Sequence, residues 1–205
     1  MLLALVSEIR EQLGFDDMTD INFAVMMAMN SVEPQLAATL NTEFDRGTFV
    51  DTFYVRAPPF RDGQAVETQF RLRRGLVASL TSVLMNNDVT AFADPASTID
   101  VTAVENLHPD KGIVKDFSTH YVRQYVRITY VAGFDPDPVD PTQYLLSEVP
   151  AWLQEAAKLR TLIAIADSAP LSEANIKLDT KALTQQLNAL LSRHLRYAPL
   201  SIMPL

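Results

Sequence analysis

Three histidines, His108, His120 and His194, are the only imidazoles in this chain, and it contains no cysteine. A hydrolytic centre needs a nucleophile within reach of a base that a third group orients. His108 and His120 stand twelve residues apart and form no HxxxH or HExxH spacing. His194 falls in the last turn of an expected helix, where a basic side chain complements the helix dipole. The six glycines, Gly14, Gly47, Gly63, Gly75, Gly112 and Gly133, are scattered, so neither GxGxxG nor a Walker loop is present. A GxSxG nucleophile elbow is also missing. Two carboxylate pairs invite general acid–base chemistry, Glu148 with Glu155 and Asp135 with Asp137. Both read better as solvated turn or helix residues, since acids beside prolines favour turns. The DPDPVD stretch offers oxygens to calcium but lacks the glycine and terminal glutamate of an EF-hand loop. The expectation is a chain with no catalytic residue, no cofactor and no metal.

What remains is chemistry of contact. Arg71, Arg73 and Arg74 are the densest basic cluster, and strand alternation puts Arg71 and Arg73 opposite Phe70 and Leu72. Such a face is either solvated or meets an acidic neighbouring subunit. A turn at His108, Pro109, Asp110, Lys111 and Gly112 is a second candidate surface. The last residues, YAPLSIMPL, carry no charged side chain and two prolines. A tail so apolar packs on something, which makes Tyr197, Pro199, Leu200, Ile202, Met203, Pro204 and Leu205 candidate docking residues.

The elements that must position these groups centre on 121–167. YVRQYVRITYVAGF alternates Val122, Val126, Ile128 and Tyr130 with Arg123, Arg127 and Thr129, a period of two that predicts a half-buried antiparallel strand. Gly133 releases it into DPDPVDP, and Pro150 opens a helix through Asp167, a proline being suited to the first turn. Towards the start, Leu2, Leu5, Ile9 and Leu13 predict a helix from about Leu2 to Leu13, ended by Gly14. Thr19 or Asp20 caps a second, with Ile21, Val25, Ala28, Val32, Leu36 and Leu40 on one stripe. Pro34 is expected to kink or split it, and Met26, Met27 and Met29 read as core. Segments 48–55, 66–73, 76–85, 99–106 and 112–117 read as strands of one sheet of about five or six. A final helix follows Asp179 or Thr180, with Leu183, Leu187, Leu190, Leu191 and His194 aligned.

The fold class expected is therefore α+β: a helical bundle from the N- and C-terminal helices packed with a mostly antiparallel sheet, plus an extended tail. At 205 residues a single domain over 1–196 is the natural division, with helices at about 2–44 and 150–196, the β-rich part at about 48–134, and a tail at 197–205. Hydrophobic content of 48% and charged content of 20% suit a globular chain. No apolar run reaches the roughly 20 residues of a membrane helix, and MLLALVSEIREQLG reads as an amphipathic helix rather than a signal peptide. The absence of cysteine excludes disulfides and fits a reducing compartment. The net charge is −8; residues 1–60 hold nine acids against Arg10, Arg46 and Arg56. Such a chain lets DNA pass rather than gripping its phosphates.

The order of segments resembles the head-to-tail adaptor (connector) family of tailed bacteriophages. The resemblance is carried by the N-terminal helices ending in VEPQLAATLNTEF, by VETQFRLRRGLVASLTSV, by the hairpin HPDKGIV, by YVRITYVAGF and by VPAWLQEAAKLRTLIA. It covers roughly 1–167; the segment between Val89 and His120 and the proline-rich stretch after Gly133 depart from it. It implies a non-enzymatic virion protein at the head–tail interface, assembled in the bacterial cytoplasm. Copies would form a ring, a dodecamer in this family, under the portal protein, extending the DNA channel and receiving the stopper or tail proteins. DNA would pass without sequence-specific binding, and no membrane is involved. In such a ring residues 197–205 are expected, from their apolar and charge-free composition, to dock on the portal, which the family suggests as host. Arg71, Arg73 and Arg74 are expected to form a subunit or partner contact, and the hairpin at His108, Asp110, Lys111 and Gly112 to face the channel or the tail. A tail-completion or tail-terminator ring protein shares these properties; a small hydrolase or a monomeric binding module are the readings from other classes.

Overall fold

Apolar residues recur along 47–55, 77–86 and 124–132, alternating most regularly in the last, and these become the long strands. The computed structural model describes residues 1–14, 19–55, 60–61, 64–65, 68–90, 92, 98–99, 104–116, 124–166, 171 and 176–194. In chain order they form α1 (Val6–Gln12), α2 (Thr19–Leu40), β1 (Gly47–Val55), β2 (Phe60–Arg61), β3 (Gln64–Ala65), β4 (Thr68–Arg71), β5 (Val77–Asn86), β6 (Thr98–Ile99), β7 (Val104–His108), a 3-10 turn (Pro109–Lys111), β8 (Ile113–Asp116), β9 (Gln124–Ala132), α3 (Ala151–Ile165) and α4 (Thr180–His194). The fold is α+β, and every strand pair in it is antiparallel. Two compact units divide the described chain: a helical one from Met1–Leu40 with Phe134 onward, and a sheet one from Asn41 to Gly133.

In the sheet unit β9 lies between β1 and β5, and β6 pairs with the far side of β5. Val126, Ile128 and Tyr130 of β9 are fully buried with Phe53 and Val55 of β1, which meets the period-two reading from Gln124 to Ala132; Val122 and Arg123 lie outside the described residues. Among the described residues a single sheet of five or six strands does not form. Strand β4 pairs with β8 and β8 with β7 in a separate three-stranded sheet, and β2–β3 is a small ribbon. The cause is local: β4 ends at Arg71, and Leu76 takes a left-handed backbone (φ 56°), so the chain turns before β5 instead of running on in one strand. The expected strand 99–106 is likewise two pieces, β6 and β7.

In the helical unit α1 is shorter than its apolar pattern suggests. Leu2 pairs with Gln143, its N–H reaching the Thr142 carbonyl at 2.9 Å while its own carbonyl accepts from Tyr144 at 3.1 Å. Leu2, Leu3 and Ala4 are buried there as extended chain; Leu5 is exposed and only Ile9 of α1 is fully buried. Gly14, at φ 75°, follows the helix as expected. Helix α2 runs unbroken through Pro34, burying Val25, Met29, Val32, Leu36 and Leu40. The cap expected at Thr19 or Asp20 falls beside residues outside the described set. Pro150 is the N-cap of α3, and Asp179 caps α4 by accepting the Ala182 N–H at 3.0 Å.

Candidate assembly surface

Two turns that sequence spacing separates come together in the sheet unit. The β4–β5 turn carries Arg73, Arg74, Gly75 and Leu76; the β7–β8 turn carries Pro109, Asp110, Lys111 and Gly112. Leu72 N–H donates to the Gly112 carbonyl (2.8 Å) and Leu76 N–H to the Asp110 carbonyl (3.2 Å). The backbones touch so closely that a Cβ on Gly75 would stand 2.5 Å from the Asp110 oxygen, and one on Gly112 2.1 Å from the Arg74 oxygen. Gly112 also closes its 3-10 turn with φ 63°, a conformation that disfavours any Cβ. Thus Arg71, Arg73, Arg74, His108, Asp110, Lys111 and Gly112, two groups in the sequence, are one surface in the fold.

A buried carboxylate anchors this surface from beneath. Asp51 lies on the core-facing side of β1, 2% exposed. Its Oδ2 accepts the Tyr130 hydroxyl at 2.9 Å and the Arg73 N–H at 2.6 Å, and the Arg73 Nε approaches Oδ1 at 3.5 Å. Tyr130 in turn accepts the Arg74 N–H at 3.1 Å. A charge this buried persists only when its oxygens are paired. Above it, Arg74 binds Glu43 at 2.6 Å and lies over the Phe49 ring at 5.3 Å. Arg73 and Arg74 are therefore held in place by their own chain, while Arg71 is half-buried and His108 exposed. Sequence reasoning missed Asp51 and Tyr130; the available signal was an acid at an inward position of an apolar alternation.

The discounted acid pairs have structural employment. Glu148 Oε2 accepts the Asp135 N–H at 2.9 Å. Asp137 Oδ1 accepts Val139 N–H at 2.7 Å, and Asp140 Oδ1 accepts the Thr142 hydroxyl at 2.6 Å. Hydrogen bonds from the Thr142 hydroxyl and amide hold the Asp140 carboxyl below the usual carboxylate range. The DPDPVDP stretch is thus a self-bonded Asx-turn loop. Glu155 pairs with Lys158 at 3.2 Å. Among the described residues no group of three or more His, Asp or Glu side chains is placed to hold a metal ion. His194, at the end of α4, stacks on Trp152 of α3 at 3.9 Å with ring planes 4° apart. His120 and the residues Tyr197 to Leu205 lie outside the described set.

One expectation about the methionines fails. Met29 is buried, but Met26 and Met27 are exposed beside Phe23. The core stripe of α2 occupies positions 25, 29, 32, 36 and 40, and at helical spacing it excludes 23, 26 and 27. No helix among the described residues is long and apolar enough to cross a membrane.

No protein-family model matches the chain, and no curated protein does. Among solved structures the chain is similar to a chain in the neck of an empty gene transfer agent particle computed with C6 symmetry, at 17% identity, covering 95% of this chain and 91% of that one with a TM-score of 0.44. It is also similar to a chain in the neck of the native particle computed with C12 symmetry, at 16% identity, 94% and 88% coverage and a TM-score of 0.40. A chain in the virion of the native particle is similar at 17% identity, 90% and 89% coverage, and a TM-score of 0.40.

Proposed function

We propose that this chain is a structural head-to-tail adaptor of a tailed phage. Copies form a ring, a dodecamer in the family the sequence resembles, beneath the portal at the virion neck. The ring extends the DNA channel and receives the stopper or tail. The observation that carries this reading is the locked pair of turns. Two segments of the resemblance, FRLRRGL and HPDKGIV, meet as one surface whose backbones are hydrogen-bonded to each other. A platform for another protein needs that property, because a preordered contact surface loses little entropy on binding. The acidic chain, at −8, suits a channel from which DNA is released rather than retained.

In this reading Arg71, Arg73 and Arg74 with the His108–Gly112 turn meet the next neck or tail component, and Tyr197 to Leu205 dock on the portal. The test is to image the purified protein mixed with portal assemblies. Rings on the portal are expected. Deleting residues 197–205 should abolish attachment with the folded spectrum unchanged, and unchanged attachment rejects the docking role. Because Ile113 and Val114 are buried, the turn is better probed by charge than by replacement. Arg71→Glu with His108→Glu should leave portal attachment intact and block tail joining; normal virions from that variant count against the assignment.

A further inference from the structure

Helix α4 packs on α3 and buries only Leu187 and Leu191. A helix with so few buried side chains is marginal by itself, and its last turn is where it would fray. That turn is closed by a ring contact. The His194 imidazole stacks on the Trp152 indole of α3, with centroids 3.9 Å apart and planes 4° from parallel. One residue earlier, Arg193 shares the α3–α4 groove with Glu155 and Leu159. His194 is also the last described residue before the chain continues into 195–205.

The Trp152 side of the stack is firmly placed. Trp152 stands in the first turn of α3, with Pro150 as N-cap. The Leu153 and Gln154 amides donate to the Pro150 carbonyl at 2.9 and 3.1 Å. The Gln154 side-chain amide donates to the Leu146 carbonyl at 3.0 Å and to the Val149 carbonyl at 2.8 Å. Leu153, next to Trp152, is fully buried. The indole is therefore a fixed plate, and His194 takes its position from it. Stacked rings contribute beyond the area they bury, and two parallel planes in contact leave little room to tilt.

We propose that the Trp152–His194 stack fixes the point and direction from which residues 195–205 leave the helical unit, making His194 a positioning residue for docking on the portal. The inference rests on the docking reading of residues 197–205. Its physical basis is entropy. A segment launched from a fixed residue has fewer conformations to give up on binding, whereas a frayed last turn must be ordered at the same moment. Ordering one backbone residue weakens binding about tenfold. A basic residue at this place also complements the helix dipole. Phenylalanine keeps a stacking ring and lacks the charge, so the two contributions separate.

Attachment to portal assemblies would be measured at neutral pH for the full chain, His194→Ala, His194→Phe, Lys158→Met and the 197–205 deletion, at a temperature where each keeps its helical circular dichroism. Lys158→Met removes an ion pair to Glu8 of α1 further along α3, and so controls for stability of the same unit. His194→Ala should attach about tenfold more weakly, while His194→Phe and Lys158→Met attach as the full chain does. Without portal, amide exchange from Leu191 to His194 should quicken in His194→Ala and slow again in His194→Phe. Unchanged exchange in His194→Ala would overturn the proposal, since the last turn would then be held without the stack. Equal weakening by Lys158→Met would also overturn it, reducing the effect to stability. Weak attachment of His194→Phe would do the same by making the imidazole itself a portal contact. Full attachment of His194→Ala alongside none from the deletion would sink the positioning role and leave docking standing. Full attachment of the deletion would remove both.

Discussion

The two units present their candidate surfaces in opposite ways. In the sheet unit, the β4–β5 and β7–β8 turns are held by main chain against main chain, over a buried Asp51 that ties Tyr130 to the backbone of Arg73. In the helical unit, Phe23, Met26 and Met27 are exposed apolar side chains on the regular helix α2. The first surface keeps its shape before anything binds. The second gains stability only when water is removed from it. Mutations should separate these two properties.

The largest effect belongs to the main-chain contact. Gly112→Ala should destabilise the sheet unit by about 3 kcal/mol or more, because the new Cβ meets the Arg74 carbonyl and the φ is positive. Gly14→Ala, at a similar φ but with nothing within 4 Å, should cost about 1 kcal/mol from backbone strain alone. Equal losses in urea unfolding would break the claim that the turn–turn contact is the tighter constraint. Asp51→Ala should cost about 2–3 kcal/mol by removing the buried acceptor of the Tyr130 hydroxyl and the Arg73 N–H. Trp152, the only tryptophan, reports the helical unit, so its fluorescence shows whether that unit unfolds in step. A shared shift would favour one cooperative domain over 1–196, and a shift confined to the strand signal would separate the units.

Smaller effects should come from the helical side. His194→Ala removes the stack on Trp152 and should cost about 1 kcal/mol, seen as a shifted Trp152 emission and a lower Tm. Lys158 of α3 binds Glu8 of α1 at 3.3 Å and Glu155 at 3.2 Å. Burial pushes its ammonium down, but hydrogen bonds and charge from Glu155 and Glu8 outweigh this and hold it above the usual lysine value. A raised folded pKa contributes stability that is complete below the unfolded value of about 10.4 and is lost as pH rises through the folded one. Lys158→Met should therefore cost up to about 1 kcal/mol at neutral pH and remove that alkaline loss; an unchanged alkaline profile would count against the ion pairs. Phe23→Asp with Met27→Asp should change stability least, within about 0.5 kcal/mol, because both side chains are exposed.

Patterned elements were legible and their boundaries less so. Strand β9 was readable because Val126, Ile128 and Tyr130 alternate against a core, and α3 because Pro150 precedes an amphipathic run and suits the start of a helix. Helix α1 was overextended since Leu2 to Leu13 satisfies helical spacing locally; nothing in that pattern reveals that Tyr144 and Thr142 take Leu2 as an extended partner. The one-sheet reading failed at Leu72–Leu76, where a leucine with positive φ makes a turn that propensity does not signal. The methionines misled because three of them share a helix while only one lies on its buried stripe.

The order of residues determined the α+β class, the long strands and helices, the uncharged tail composition and the acidic balance, because periodicity and charge are properties of neighbours along the chain. The joining of Arg71–Arg74 to His108–Gly112 was decided by tertiary structure, as were the burial of Asp51 beneath them and the exposure of Phe23, Met26 and Met27. Each depends on which distant backbone fills the space beside a residue, and local spacing holds no record of that.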